Sequence, residues 1–585
     1  MLFRKAFVAM MLVFVAALPA LGEQGPAGNT HPQSMMLSQA GAVNPFGEPE
    51  RKEADTAAKF AFSKAVDLTP LRDLAVFHNG RVKILDSLAR ETVAGVTGRK
   101  DFLDFRPGAG GKGVERLRYD PLFTFLDMVI DPSYYEAKPL VGVNYLPLRD
   151  AFLERAFPGT ANDAERENWK KMGRISPRHI SGLYQSVAGV SMTDAYQKAL
   201  GSVHEGMMLY ALGAQNFLLV PAETLDAPWN HLSTLPAGSP GAAAVKALGE
   251  GWRAMDAAKV NAAARELALV LPTINPSVYP TTKRTLERAY NAAKPFEWGS
   301  WLYAFALVSL LLSFGTGRRG LLWLGAAFLA AAVSMHAFGF VTRCIIAERF
   351  AIQNQFESLT GVSLFAAAIG LSLAVVKRQA IFGAAVAAVG FLVLITATQT
   401  SIPGYSIERE AAILNTSVLL KYHVTTVLFS YGLISLGFIV SLFYLGTHYL
   451  GGKGTEARSG TKAQRHEGTE AQSKASAPGR RSSALPDLDS AQMTILHLAF
   501  WTLGVGILLG AWWADHSWGR WWAFDPKELW ALLTWLVYLV VVHLRHASVR
   551  DKALTTAWFS VLGFFTMLWC YFGVNLLLPG LHAYA

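Results

Sequence analysis

Residues 518–530 read WGRWWAFDPKELW, four tryptophans and a phenylalanine around one Asp-Pro-Lys-Glu. Eight of the 16 tryptophans in the chain fall between Trp501 and Trp535. An interfacial aromatic belt, common in membrane proteins, accounts for part of that density. It does not account for the charged tetrapeptide embedded in it. A dense indole surface beside charges suits a large flat ligand with an apolar body and charged edges. Arg520 and Lys527 can meet carboxylates on such a ligand. The candidate binding residues are therefore Trp518, Arg520, Trp521, Trp522, Phe524, Asp525, Lys527 and Glu528.

Three histidines add metal chemistry. His423 opens one apolar run and His582 follows another, 159 residues later. A histidine pair can hold a haem iron from both faces. A single histidine at a span end is more often a hydrogen-bonded interfacial residue, so the pair carries weight only if both converge on the aromatic segment. His543 sits inside LLTWLVYLVVVHLRH, 18 residues after Asp525, about 27 Å along a helix. Two readings of it stand: a functional intramembrane group, or a neutral imidazole near the headgroups, with Arg545 and His546 snorkelling beside it. His336 reads as a packing or polar-contact residue. His448, His497 and His516, at span ends or in loops, read as ordinary.

What must position these residues is a membrane domain. Of 585 residues, 52% are hydrophobic and 16% charged, too apolar for a soluble chain of this length. About 20 apolar residues cross a bilayer as a helix. The runs 298–314, 321–340, 359–376, 379–398, 423–446, 494–513, 528–546 and 554–575 predict eight spans. The start MLFRKAFVAMMLVFVAALPALG, residues 1–22, has the basic, apolar and small-residue order of a signal peptide, with an uncleaved anchor as the alternative; either puts residues 23–297 outside the cytoplasm. The loops that would then lie inside carry 14 Lys and Arg, counting Arg545, against six in the outer loops. The positive-inside rule gives the same topology. It also accounts for the net charge of +10, which sits largely in inter-span loops and does not imply nucleic acid. Residues 451–490, rich in Gly, Ser, Ala and charge, read as a disordered cytoplasmic linker between spans one to five (298–450) and six to eight (491–585). The fold class expected is an all-α polytopic membrane domain preceded by a helix-rich soluble extracytoplasmic domain. The Trp segment, His423 and His582 would then share the outer face. Only two cysteines occur, Cys344 and Cys570, too far apart for a dithiol motif.

The stretch WGRWWAFDPKELWALLTWLVYLVVVHLRH closely resembles the tryptophan-rich (WWD) signature of the cytochrome c assembly family, in its CcsA-type, system II branch. ILNTSVLLKYHVTTVLFSYG is similar to the family segment with the first external histidine, here His423. FGVNLLLPGLHAYA is similar to the C-terminal segment with the second, here His582. ERFAIQNQFESL, residues 348–359, is similar to the external loop after the second span. The likeness covers about 290 residues, in the family's order. It implies that haem b, iron-protoporphyrin IX, is held within the inner membrane at His543 and then presented on the periplasmic face. There the Trp-rich segment would bind the porphyrin and His423 and His582 the iron. An apocytochrome c would then take the haem through thioether bonds, making the chain a haem lyase subunit. The alternatives are a haem carrier without ligation activity and an unrelated polytopic transporter.

This chain departs from the signature at Phe524, where the family has Trp. In fused members a companion CcsB (ResB-like) half supplies a second intramembrane histidine. No such half is evident here, so a separate CcsB/ResB-type membrane subunit is the expected partner. In the soluble region, FHNGRVKILDSLARE, residues 77–91, weakly resembles a segment of extended family members. His78, Arg81 and Asp86 there read as turn and helix-cap residues rather than a site, and His204 likewise. Partner or apocytochrome docking is the role expected of residues 23–297.

Overall fold

A computed structural model describes residues 44–49, 55–107, 114–224, 227–377, 379–400, 402, 404–408, 418–451 and 484–578. The expected signal peptide, most of the expected linker and His582 lie outside the described residues. The chain divides into two compact units, with the boundary between Ala292 and Ala293.

The first unit is built mainly from helices around a large apolar core, with a smaller cluster formed by Ala75, Ala222, Trp229 and Tyr279. Pro121–Ile130 is buried from Leu122 to Ile130 without a break, so it runs through the interior, with Leu85–Thr97 and Pro240–Arg253 contributing further core. A helix buried on all sides leaves no solvent for its one acid. Asp127 is satisfied internally instead, by Lys59 Nζ at 2.7 Å, Tyr135 OH at 2.8 Å and Trp252 Nε1 at 2.8 Å. Among the described residues, three two-stranded antiparallel sheets decorate this core. In the first, Ala75–His78 pairs with Arg81–Ile84. Both turn residues, Asn79 and Gly80, have positive φ, the conformation that Asn-Gly favours in a two-residue hairpin.

Among its described residues the second unit holds eight helices long and apolar enough to cross a membrane: Pro295–Thr316, Arg319–Ala347, Gln355–Lys377, Ile381–Gln399, Val418–Tyr449, Leu485–Trp518, Pro526–Leu544 and Lys552–Gly573. They match the eight expected runs, and are called here the first to eighth spans. Several overshoot the apolar run that predicts them. The helix of the sixth span begins at Ala484, inside the expected linker. Leu488 and Ala491 are buried there, and Asp489 pairs with Arg545 (Oδ2–NH1 2.9 Å). Tertiary contacts therefore continue the helix through polar sequence.

The fifth span is central. Its Gly432 lies against the Val362 carbonyl of the third span, its Gly437 against Leu496 of the sixth, and Phe438 stacks on Phe564 of the eighth at 3.9 Å. Small residues that let backbones approach are the usual means of packing helices in lipid. The sixth and seventh spans run antiparallel, with Trp535 as the register pin. Its ring stacks on Phe500 at 5.0 Å, its Nε1–H donates to the Phe500 carbonyl at 3.2 Å, and it rests on Gly504.

Candidate functional site

The Trp-rich segment is a descending turn between two rigid ends. The sixth span's helix stops at Trp518, where Gly519 takes a positive φ of 70° and donates to Asp515. Trp518 packs edge-on against Trp513 at 4.8 Å. The seventh span starts at Pro526, nine residues before Trp535, about 13 Å along the helix. That brings its first turn level with the stretch between Gly506 and Gly510, roughly 15 Å below Trp518. Residues 519–525 cover the drop. Arg520, Trp521 and Phe524 are exposed on it, Trp522 and Lys527 are half-buried, and Asp525 is buried. Phe524 is 73% exposed and has φ +56°. A bulky side chain in the left-handed region costs about 1–2 kcal/mol, and such strain collects at functional sites.

The Asp-Pro-Lys-Glu tetrapeptide has a structural task. Asp525 caps the seventh span, its carboxylate accepting from the Lys527 N–H at 3.2 Å. Glu528 reaches back to the N–H groups of Asp525 (3.2 Å) and Ala523 (2.9 Å). This is a reciprocal capping box, with Pro at the first helical position. Both carboxylates thus hold the segment's shape, and the exposed rings and Arg520 are the groups that face outward.

His423 lies at the same depth as the start of the seventh span. Its Nδ1–H donates to the Gly506 carbonyl at 2.8 Å. Its ring covers Gly510, where an added Cβ would come within 2.5 Å of Cε1. An imidazole protonated on Nδ1 carries its lone pair on Nε2. A backbone carbonyl on the other ring nitrogen is also how proteins commonly orient a metal-ligating histidine. Trp513, buried on the same side of the sixth span about one turn outward, has an indole N–H with no hydrogen-bond partner among the described residues. Below His423, the fifth, seventh and eighth spans meet. Tyr431 OH reaches Cys570 Sγ at 3.6 Å, and that thiol faces the Lys527 carbonyl at 3.8 Å. Cys570 sits in a π-helical turn, Trp569–Gly573, an irregularity frequent at functional sites.

An ion cluster at this end of the unit was invisible as such in the sequence. Arg343, Glu357 and Arg349 are all buried. Arg343 Nε meets Glu357 at 3.0 Å and Arg349 NH1 at 2.7 Å. Further guanidinium N–H groups bind loop carbonyls: Gly404 at 2.5 Å, Tyr405 at 2.8 Å and Ser406 at 2.9 Å from Arg343, and Glu408 at 3.0 Å from Arg349. The segment after the second span is thereby tied to the loop after the fourth. The available signal was a charge inside each of two apolar helices, which in a membrane marks paired or functional groups.

His543 stands elsewhere. It is exposed near the far end of the seventh span, and its Nδ1–H donates to its own helix at Leu539 O, 2.8 Å. His336 is fully buried, with Nε2–H on the Thr360 carbonyl (3.0 Å) and Nδ1 beside Tyr303 OH (3.3 Å), so it is the polar-contact residue expected. In the first unit, His78, Arg81 and Asp86 do not form one site. His78 faces Lys83 at 3.4 Å, Arg81 pairs with Glu287 at 3.3 Å, and Asp86 binds Arg72 and Arg90. Burial, with the cations of Lys83 and Arg81 beside it, pushes His78 down to about 3. Among the described residues no three His, Cys, Asp or Glu cluster as a metal site, and the His423–His582 pairing lies outside what they include.

Residues 298–582 match the family Cytochrome C assembly protein. The chain is 37% identical over 172 residues to a cytochrome c biogenesis protein CcsA of Synechococcus sp. (strain RCC307), covering 28% of this chain and 53% of that protein. The CcsA of Chlamydomonas reinhardtii is 34% identical over 172 residues, covering 28% of this chain and 40% of that one. The CcsA of Trieres chinensis is 27% identical over 304 residues, 50% of this chain and 96% of the relative. The chain thus spans about half the length, or less, of the first two. The family match falls on the unit that carries the Trp segment, His423 and His543. The membrane half of this chain, residues 298–582, belongs to the cytochrome c assembly family.

Proposed function

We propose that this protein acts in cytochrome c biogenesis, taking haem b within the inner membrane and presenting it on the periplasmic face for covalent attachment to apocytochrome c. The observation that carries this reading is the setting of His423. It is an imidazole clamped through Nδ1 to another helix and laid over Gly510, at the depth where the exposed aromatic segment runs into the seventh span. Trp518, Trp521, Trp522 and Phe524 offer flat apolar faces to a porphyrin. Arg520 and Lys527 supply cations for its propionates. His582 is the partner ligand for His423, and His543 holds haem in the bilayer before transfer. A CcsB/ResB-type subunit completes the assembly, and residues 23–297 dock it or the apocytochrome.

In the ligation step, the apocytochrome's Cys-x-x-Cys-His segment brings its own histidine to the iron and its thiols to the vinyl groups. Each S–H adds across one C=C, sulfur to one carbon and hydrogen to the other, with no oxidant needed. Holding the vinyl groups beside the thiols converts a bimolecular encounter into a positioned reaction. That role requires no cysteine of this chain, and both of its cysteines are buried and unpaired.

The test is co-expression of the full chain with an apocytochrome and a CcsB-type partner, followed by haem-stained gel analysis. Staining that is lost in His423→Ala and His582→Ala supports presentation by both imidazoles. Staining unchanged in both removes it.

A further inference from the structure

The first unit holds a buried cation without a counter-ion. Arg174, on the short strand Arg174–Ile175, is 3% exposed. Among the described residues its guanidinium makes one hydrogen bond, from NH1 to the Leu103 carbonyl at 3.5 Å, and its Nε–H has no acceptor. The other buried cations there, Lys59, Lys83, Arg343 and Arg349, each meet a carboxylate. Burial, with the Arg99 cation nearby, pushes Arg174 down to about 10, so it stays charged at neutral pH. A buried guanidinium left unpaired is costly.

The segment beside Arg174 carries more positive charge. Gly142 pairs with Arg174 across the strands, and a Cβ at Gly142 would fall 2.9 Å from the Gly98 nitrogen. Residues 98–103 therefore border this pair, from Gly98 to the Leu103 carbonyl. Arg99 is exposed on that segment. Its acid, Asp101, is already engaged by Arg118 at 3.1 Å. Leu103 then opens a hairpin, in which Leu103–Pro107 pairs with Val114–Arg118. Residues directly opposite share a face, so Leu103 stands with Arg118, and Phe105 with Arg116. Asp104 and Leu117, on the other face, are buried. The first face is thus the outer one, with Arg116 and Arg118 exposed and Leu103 and Phe105 half-buried.

Arg99, Arg116, Arg118 and Arg174 thus line one border of the first unit, with Asp101 the acid set among them. A small anion would satisfy Arg174 alone. The cations extend further, over two cross-strand pairs about 7 Å apart along the hairpin, and alternate with apolar side chains. Arginine beside aromatic and apolar groups suits contact with a polypeptide, and guanidinium groups take carboxylates with two parallel hydrogen bonds. We propose that this hairpin face binds an acidic segment of a protein partner, with Arg174 receiving one of its carboxylates at the Leu103 edge. The inference deepens the docking role proposed for residues 23–297 and rests on it.

The experiment uses the full chain in detergent and a fluorescein-labelled oligo-glutamate peptide, read by fluorescence anisotropy. Binding is expected at low ionic strength and should weaken as salt screens it. Arg174→Met keeps the stem and removes the charge, and should weaken binding about ten-fold or more. Arg99→Glu with Arg116→Glu, both at exposed positions, should abolish it. Lys246→Glu, at an exposed cation on Pro240–Arg253, should leave it unchanged. Without peptide, the Tm of Arg174→Met should stay level or rise, because an unpaired buried charge has gone. A fall in Tm with unchanged peptide affinity marks a structural residue and overturns the inference. Affinity indifferent to every arginine variant also overturns it and leaves the docking role standing. Inorganic phosphate that displaces the peptide at matched ionic strength, and raises Tm only when Arg174 is present, assigns the face to a small oxyanion and overturns the polypeptide partner. Haem-stained gels of the co-expressed cytochrome separate the two claims. Where Arg99→Glu with Arg116→Glu has lost the peptide, reduced staining supports both, and wild-type staining overturns the docking role.

Discussion

The two ends of the membrane unit treat the same chemical group differently. Near the Trp segment, His423 is half-buried, tied to a neighbouring span and laid on a glycine. At the far end, His543 is exposed and tied only to its own helix. Both imidazoles have the same tautomer, yet one is held by tertiary structure and the other by four residues of local backbone. A site shaped by several helices resists substitution poorly, because each neighbour is fitted to it. A site on a helix surface tolerates change in the protein and shows it only in the ligand.

That contrast is open to test. The largest effect should come from Glu357→Ala. It leaves two buried arginines without their carboxylate, and breaking such a cluster costs about 3–5 kcal/mol. Thermal unfolding of the full chain in detergent should show a large fall in Tm. An unchanged Tm would mean that the cluster and its loop do not stabilise this end. Gly510→Ala comes next. A Cβ at 2.5 Å from the His423 ring should overpack the contact by about 1–3 kcal/mol and displace the imidazole. Haem staining of the co-expressed cytochrome should then fall as in His423→Ala, and wild-type staining would refute the clamp. Asp525→Ala removes the cap of the seventh span and should cost about 1 kcal/mol, with the Trp fluorescence of the segment shifting as it loosens. His543→Ala should have the smallest effect on stability, within about 0.5 kcal/mol, while haem binding at that end weakens. A large loss of stability there would erase the distinction between the two ends.

Much of the membrane unit was legible because its signal is local. A run of about 20 apolar residues needs no tertiary information to declare a span, and all eight expected runs are helices. The ends were less legible. Ala484–Leu488 is polar or mixed in sequence, yet it is helical because Leu488 packs and Asp489 meets Arg545. The Asp-Pro-Lys-Glu tetrapeptide carried its own explanation. Asp at one position and Glu three later is a capping-box signature, and the ligand-binding reading of these carboxylates passed over it. Arg343, Arg349 and Glu357 were in view as charges but not as partners, since pairing across different segments leaves no periodic trace. Trp513 looked like one more member of an aromatic belt until its buried N–H, without a partner among the described residues, set it apart.

By itself the sequence determined the eight apolar runs after residue 297, the concentration of indole between the sixth and seventh, and the family of the membrane half. These rest on hydrophobic run length, composition and residue order, which the chain carries wherever it folds. Only the tertiary structure decided which histidine is clamped and which is exposed, which glycine must stay bare beneath a ring, and which carboxylates are occupied by capping. Those depend on helix register and azimuth. A shift of one residue turns a side chain by about 100°, and the packing of neighbouring helices, not the local sequence, selects the rotation.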